Sequence, residues 1–366
     1  FHTSLSSATG PGVTATVSWE FDADPGHTVS QSVADADGNV YFGAANNSSG
    51  KLVKLDKNGV KQWEYETNVS IGTPAVLSDG TVYFSRIGAG GVQLVTAVSP
   101  DGLTKKWDYT DASTVQAITV SSKGEPHFTY SSGTDKLAVL KTDGSEKIPP
   151  INAAGLAGFA PVILDNGNII VSMKISGNQF FTKYSADGTQ IWDLSYTGAN
   201  GSMQSNPSYD SATGKTYSAV GYDGGSTYAS IFMIPADGSA INRTVIAPSN
   251  LGSSATMVAI TPTDLLVGFD YTWSNSASGS KLFSLNKSDL ATNWSLPADS
   301  RINQQLAVDQ NDDVYFSTEA GTLYSVDENG NLNWKIETGV LSQISPVLTE
   351  NGIIWGYGNK VVEILP

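Results

Sequence analysis

A unit of roughly forty residues recurs along this chain, and that recurrence limits the fold more than any other feature. The clearest copy runs from Ser32 to Trp63. A short apolar run leads to Asp37-Gly38, then Val40-Tyr41-Phe42-Gly43, then Leu52-Val53-Lys54-Leu55-Asp56, Gly59 and a closing Trp63. Asp-Gly ahead of an apolar strand is a hairpin signal, because these residues tolerate the positive φ of tight turns. The unit therefore reads as four short strands joined by turns.

Two markers count the copies. The closing tryptophans Trp19, Trp63 and Trp107 stand 44 residues apart, Trp192 follows after 85, Trp294 after 102 and Trp334 after 40. The long gaps span two units each, and the missing tryptophans fall near Ile148 and Arg243. The second-strand triplet recurs eight times, as Val40-Tyr41-Phe42, Val82-Tyr83-Phe84, Pro126-His127-Phe128, Ile169-Ile170-Val171, Thr216-Tyr217-Ser218, Leu265-Leu266-Val267, Val314-Tyr315-Phe316 and Ile353-Ile354-Trp355. The runs are apolar on both faces, as strands sandwiched between neighbouring sheets require. The last unit stops after three strands, while Val17 to Phe21 is an orphan closing strand. The expected fold is all-β: an eight-bladed β-propeller of four-stranded antiparallel blades, with the N-terminal strand completing the last one. Residues 17–366 form a single propeller domain in this reading. Residues 1–16 form a flexible leader, rich in Ser, Thr and Gly, of the kind left when an export signal is removed.

The repeat resembles the PQQ-like, or BamB-like, propeller family, whose pattern is close to Val-Tyr-x-Gly, Leu-x-x-x-Asp and Gly-x-x-x-Trp. Gly59 to Trp63, Gly188 to Trp192 and Gly330 to Trp334 keep the last spacing. The resemblance implies that each such Trp docks one blade on the next. Quinoprotein enzymes of the family hold PQQ with a vicinal disulfide, a calcium ion and stacked aromatics. This chain has no Cys, so that disulfide cannot form, and no cofactor is expected. BamB-like relatives are scaffolds in envelope assembly, which implies binding rather than catalysis.

Composition narrows the function further. A formal charge of −15 repels phosphate backbones, so nucleic-acid binding is not expected. Three histidines and no Cys leave little for a transition-metal site. His127 takes the place of the second-strand Tyr and reads as a core residue. No Gly-x-Ser-x-Gly elbow, phosphate loop or dinucleotide fingerprint occurs. Oxygen donors at every second residue, as in calcium loops, mark Asp35 and Asp37 in one turn and Asp309 and Asp313 in another. Hairpin turns favour the same residues for conformational reasons alone.

Two features point to a ligand face formed by the blade-to-blade and second-to-third-strand loops. Amides stand at the start of the first strands: Gln31, Gln116, Gln204, Asn206, Gln304, Gln305 and Gln343. First strands line a propeller's channel, so these would form an uncharged collar at its mouth. The second-to-third-strand loops of blades 5 and 6 are long and carry Tyr222, Asp223, Tyr228, Asp270, Tyr271 and Trp273. Trp273 fits no repeat position and suits stacking on a sugar or anchoring a protein. The leading expectation is a non-catalytic, exported binding or scaffold module, extracellular, on the cell surface or periplasmic. It would take a glycan or protein partner and would not insert into a membrane. The alternatives are a polysaccharide lyase or hydrolase using Asp223 or Asp270 beside Tyr228 or Tyr271, and a structural subunit of a surface layer or appendage.

Overall fold

The computed structural model describes residues 8, 10–12, 14–67, 71–87, 93–112, 114–115, 118–132, 134–152, 160–175, 178–196, 205–220, 229–247, 254–270, 280–303 and 305–365. Their strands form eight antiparallel sheets, and sheet follows sheet in chain order. The chain divides into two compact units of four sheets each.

The first unit comprises Ala8–Ala160 and Val340–Pro366. Blade 1 runs through Thr28–Val29 with Val33–Ala34, Val40–Ala45, Gly50–Leu55 and Lys61–Thr67. Blades 2 and 3 follow, centred on Val82–Ile87 and Pro126–Ser132. Blade 8 contributes Val347–Leu348, Ile353–Tyr357 and Lys360–Leu365, and the fourth strand on its edge is Thr16–Asp22. The orphan strand thus completes the last blade, one residue longer at each end than the sequence suggests. The second unit, Pro161–Gly339, holds blades 4 to 7, with second strands Ile169–Ile175, Lys215–Val220, Asp264–Asp270 and Val314–Ser317.

Burial follows the position of each strand within its blade. Second and third strands are buried nearly throughout, whereas fourth strands such as Gln190–Tyr196 and Thr292–Pro297 alternate between exposed and half-buried residues. Tyr41, Phe42, Tyr83 and Phe84 of the first unit and Tyr315 and Phe316 of the second are fully buried, each within its own unit. His127 is buried with them, its Nδ1 3.0 Å from the Glu125 carbonyl; burial pushes its pKa down to about 4.

The closing tryptophans dock in one repeated way. A register shift beside Trp19, Trp63, Trp107 or Trp294 bulges the strand pairing, which re-aims the indole out of its own ladder. The ring then lies under the glycine of the next blade's third-to-fourth-strand turn: Trp19 under Gly59, Trp63 under Gly102, Trp107 under Gly144, Trp192 under Gly238 and Trp294 under Gly330. A Cβ on any of these glycines would fall 2.2–2.6 Å from the ring. Four of the indoles also donate from Nε1 to a carbonyl of that turn, of Lys57, Pro100, Thr142 or Glu328. The arrangement the family resemblance implies is therefore present, and glycine is the residue it demands. The two units without the Trp differ. Blade 5 has Arg243 in its place, and the facing turn of blade 6 has Leu290, at φ 61, in place of the glycine, whereas the turn of blade 4, which follows the Trp-less unit at Ile148 in sequence, keeps Gly188 at φ 87.

Candidate functional site

Two of the amides singled out in the sequence, Gln31 and Asn206, follow a serine whose hydroxyl accepts an N–H of the second strand. In blade 1, Val29 pairs with Ala44 and Val33 with Tyr41, so the first strand carries one residue more than its partner. Ser30 N–H donates to the Gly43 carbonyl, and Ser30 Oγ accepts the Gly43 N–H at 2.8 Å, replacing the bulged carbonyl. Ser205 Oγ and Thr256 Oγ1 accept the N–H groups of Ala219 and Gly268 in the same way. The hydroxyl was the signal that the sequence reading missed, since it precedes the amide in Ser30-Gln31, Ser205-Asn206 and Ser342-Gln343.

These amides do not share one role. Gln31 spans blades 1 and 8: its Nε2 donates to the Ser345 carbonyl at 2.9 Å and its Oε1 accepts the Ser345 N–H at 2.8 Å. Its side chain is a structural brace. Asn206 Nδ2 lies 3.7 Å from Met257 Sδ, Gln305 is half-buried and Gln343 is exposed. Asp270 is buried, accepting a hydrogen bond from Ser280 Oγ at 2.9 Å. Gln116, Gln204, Gln304, Tyr222, Asp223, Tyr228, Tyr271 and Trp273 lie outside the described residues.

The paired-acid turns are built around one carboxylate. Asp35 Oδ1 accepts the N–H groups of Asp37 and Asn39, and its Oδ2 accepts from Asn39 Nδ2 and Tyr41 Oη. Burial pushes the Asp35 carboxyl up, but these hydrogen bonds outweigh it and hold the pKa below the usual range. Asp309 repeats the pattern with the N–H groups of Asn311 and Asp313 and with Tyr315 Oη. The every-second-residue spacing therefore satisfies backbone amides. Among the described residues, no three carboxylates or imidazoles are placed to hold a metal ion.

A cleft of about 410 Å³ opens where the turns of blades 6 and 7 meet. Asp264, Asn293 and Trp294 of blade 6 face Asp312, Glu328 and Asn329 of blade 7 across it. Asp312, Glu328 and Asn329 belong to turns, Asp264 opens a second strand and Asn293 and Trp294 stand early in a fourth strand, all at the opposite edge of the blades from the loops that the sequence favours. The local field is strongly negative. Burial, reinforced by Asp264, Asp309 and Glu328, pushes the Asp312 carboxyl up. Behind it, burial and Asp309 raise Asp313 to about 6, against a weak opposing hydrogen bond from Asn333. The donors that meet this charge are carboxamides: Asn293 Nδ2 to Asp264 at 3.0 Å and Asn329 Nδ2 to Glu328 at 3.0 Å. Among the described residues, none of Asp264, Asp312, Asp313 and Glu328 pairs with a Lys or Arg. The cleft can accept hydrogen bonds and positive charge, with the Trp294 indole as an apolar wall.

Eight antiparallel sheets, four strands deep with the first strand broken in two in blades 1, 3 and 6, and with the first strand of the chain completing the last sheet, define an eight-bladed β-propeller. Solved structures share this fold. BamB from Moraxella catarrhalis matches over 96% of this chain and 98% of its own, at 12% identity and a TM-score of 0.68. Sqt1 from Saccharomyces cerevisiae matches over 96% of this chain and 100% of its own, at 12% identity and a TM-score of 0.74. The quinohemoprotein alcohol dehydrogenase ADHIIG from Pseudomonas putida HK5 matches over 97% of this chain and 76% of its own, at 11% identity and a TM-score of 0.69. The likeness is one of fold, consistent with the PQQ-like, BamB-like propeller that the repeat resembles. No protein-family model and no curated protein matches the sequence.

Proposed function

We propose that this propeller is a non-catalytic binding and scaffold module for a protein partner, and that the cleft between blades 6 and 7 receives a Lys- or Arg-bearing segment. The observation that carries the reading is the chemistry of the cleft: carboxylates from two blades converge beside an indole. Among the described residues, none of Asp264, Asp312 and Glu328 pairs with a Lys or Arg; the cation at the rim, Lys287, bonds the Thr261 carbonyl and Asp210 instead. A guanidinium or ammonium entering it would gain charge-assisted hydrogen bonds from Asp264, Asp312 and Glu328 and a cation–π contact with Trp294. The scaffold role is supported by the fold, whose repeated turns use their polar groups on their own backbone. Export is part of the proposal; the acidic, cysteine-free composition is compatible with it, and fractionation of the producing cells tests it.

The immobilised chain should retain Arg- and Lys-rich peptides over acidic ones, with affinity falling steeply as salt is raised. The double variant Asp264→Asn, Glu328→Gln should weaken retention at least about tenfold, since each lost charge-assisted bond contributes more than about 1 kcal/mol. Equal retention by wild type and variant would remove the cleft from the proposal. Retention of neutral glycans alone would move the site to the loops around Trp273.

A further inference from the structure

The third-to-fourth-strand turns follow one plan, and blades 1 and 2 depart from it in the same way. The residue after the turn glycine is polar in blades 3, 4, 5 and 7, as Ser145, Thr189, Ser239 and Asn331. Blade 1 has Val60 there and blade 2 has Leu103, which are 57% and 77% exposed. The turns themselves need no apolar side chain at this position, because it is the backbone that bonds: Val60 N–H donates to Asp56 Oδ1 and Leu103 N–H to Asp101 Oδ1, both at 3.0 Å. Exposed lysines accompany both residues, Lys57 and Lys61 around Val60, Lys105 and Lys106 after Leu103. Lys61 pairs with Glu64 and Lys105 with Asp108. Among the described residues, Lys57 and Lys106 pair with no carboxylate, and Lys106 donates to the Thr81 hydroxyl at 3.0 Å.

The tip of blade 2 is held firmly. Gly102 N–H donates to the Ser99 carbonyl, Ser99 N–H to that of Thr104, and Thr104 N–H to Ser99 Oγ. Trp63 of blade 1 packs on Gly102 and donates to the Pro100 carbonyl at 3.0 Å. A turn fixed in this way loses little freedom when a partner covers it.

We propose that the Lys-bearing segment received by the cleft is the blade 2 turn, residues 102–106, of a second copy of this chain. This rests on the binding proposal and adds the identity of the partner. Leu103 rests on the Trp294 indole, and Lys105 or Lys106 enters among Asp264, Asp312 and Glu328. The two surfaces complement each other twice. The tip offers Lys106, an ammonium with no carboxylate partner, to carboxylates with no cationic one. The tip also offers an exposed leucine to an apolar wall, and Leu332 of blade 7, two residues past the Gly330 that covers Trp294, is itself 47% exposed. The cleft, at about 410 Å³, falls in the range that encloses a small ligand, which leaves room for one leucine and one lysine side chain.

Sedimentation velocity of the full chain at low salt should show reversible association over about 5–500 µM, weakening as salt is raised. Leu103→Ser should weaken it at least about tenfold, as should the double variants Lys105→Gln, Lys106→Gln and Asp264→Asn, Glu328→Gln. The tip positions are exposed and lie outside the cradle, so their variants keep the fold. Should the cleft variant not fold, carbodiimide crosslinking of the wild type decides, since it joins a lysine only to a carboxylate in contact with it. In an equal mixture of unlabelled and isotope-labelled chains, Lys105 or Lys106 of one form should be joined to Asp264, Asp312 or Glu328 of the other. Links confined to one form would overturn the proposal, as would association unmoved by the tip variants or by the cleft variant. A chain that stays monomeric at about 500 µM would overturn it too; if that monomer still retains Lys-rich peptides, the binding reading stands and only the second copy is removed. Flotation with phosphatidylglycerol vesicles in place of self-association would assign the tip to an anionic lipid surface, which also overturns the proposal.

Discussion

The tryptophan cradle makes a demand that a single methyl group can test. Gly59 holds φ 78, and its absent side chain is the space into which the Trp19 indole packs. In Gly59→Ala the new Cβ would fall 2.5 Å from Cδ2 and 2.7 Å from Cε3 of that ring, so the indole must leave. Left-handed backbone costs an L-residue about 1–2 kcal/mol. Expelling a packed ring costs about 1–3 kcal/mol more, and the lost Nε1 bond to the Lys57 carbonyl adds about 1 kcal/mol. The expected loss is about 3–6 kcal/mol in urea unfolding followed at constant m-value. A double-mutant cycle separates the causes. In a Trp19→Ala background only the backbone cost should remain, about 1–2 kcal/mol, leaving a coupling of about 2 kcal/mol. Equal cost in both backgrounds would refute the cradle as the reason for glycine, as would a single-variant loss below about 1 kcal/mol.

Three further outcomes are expected. Asp312→Gly should change stability by less than about 1 kcal/mol, because relief of a crowded negative field is offset by the greater unfolded-state freedom of glycine, while Asp already tolerates φ 63; a larger loss in thermal unfolding would contradict this. Gln31→Ala should destabilise by about 1–3 kcal/mol, because it removes both hydrogen bonds to the Ser345 backbone, with faster amide exchange over residues 342–348. His127 is held neutral by burial, with a folded pKa of about 4 below its unfolded value. The wild type should therefore lose about 3 kcal/mol as pH falls from 6.5 to 4. His127→Tyr, the residue type at Tyr41 and Tyr83, should flatten that part of the profile relative to the wild type.

The fold was legible because its signals are local and repeated. Asp-Gly turns, apolar triplets and Gly-x-x-x-Trp spacing each reflect a constraint within a few residues, and eight copies average out the drift. Arg243 breaks the count of tryptophans, yet the second-strand triplets carry the register past it. The cleft was not legible, since Asp264, Asp312 and Glu328 lie 64 residues apart end to end and meet only because blades 6 and 7 stack. Gln31 shows a second limit of local reading. An amide at the head of a first strand looks like a ligand donor, but its partner, Ser345, is 314 residues away, invisible to any local pattern. The pairing of Arg243 with Leu290 became meaningful only after the glycine cradle explained what each residue replaces.

The carboxylates of the turns have a consequence for how this molecule moves in an electric field. Asp35, Asp56, Asp79, Asp101, Asp143, Asp187, Asp210, Asp237, Asp289, Asp309 and Asp327 each accept a backbone N–H of their own turn. Without these eleven the formal charge of −15 would be −4. The low isoelectric point is therefore largely a by-product of making many tight turns, each of which uses an anionic acceptor. Mobility and ion-exchange behaviour report the architecture of this protein before they report its binding preferences.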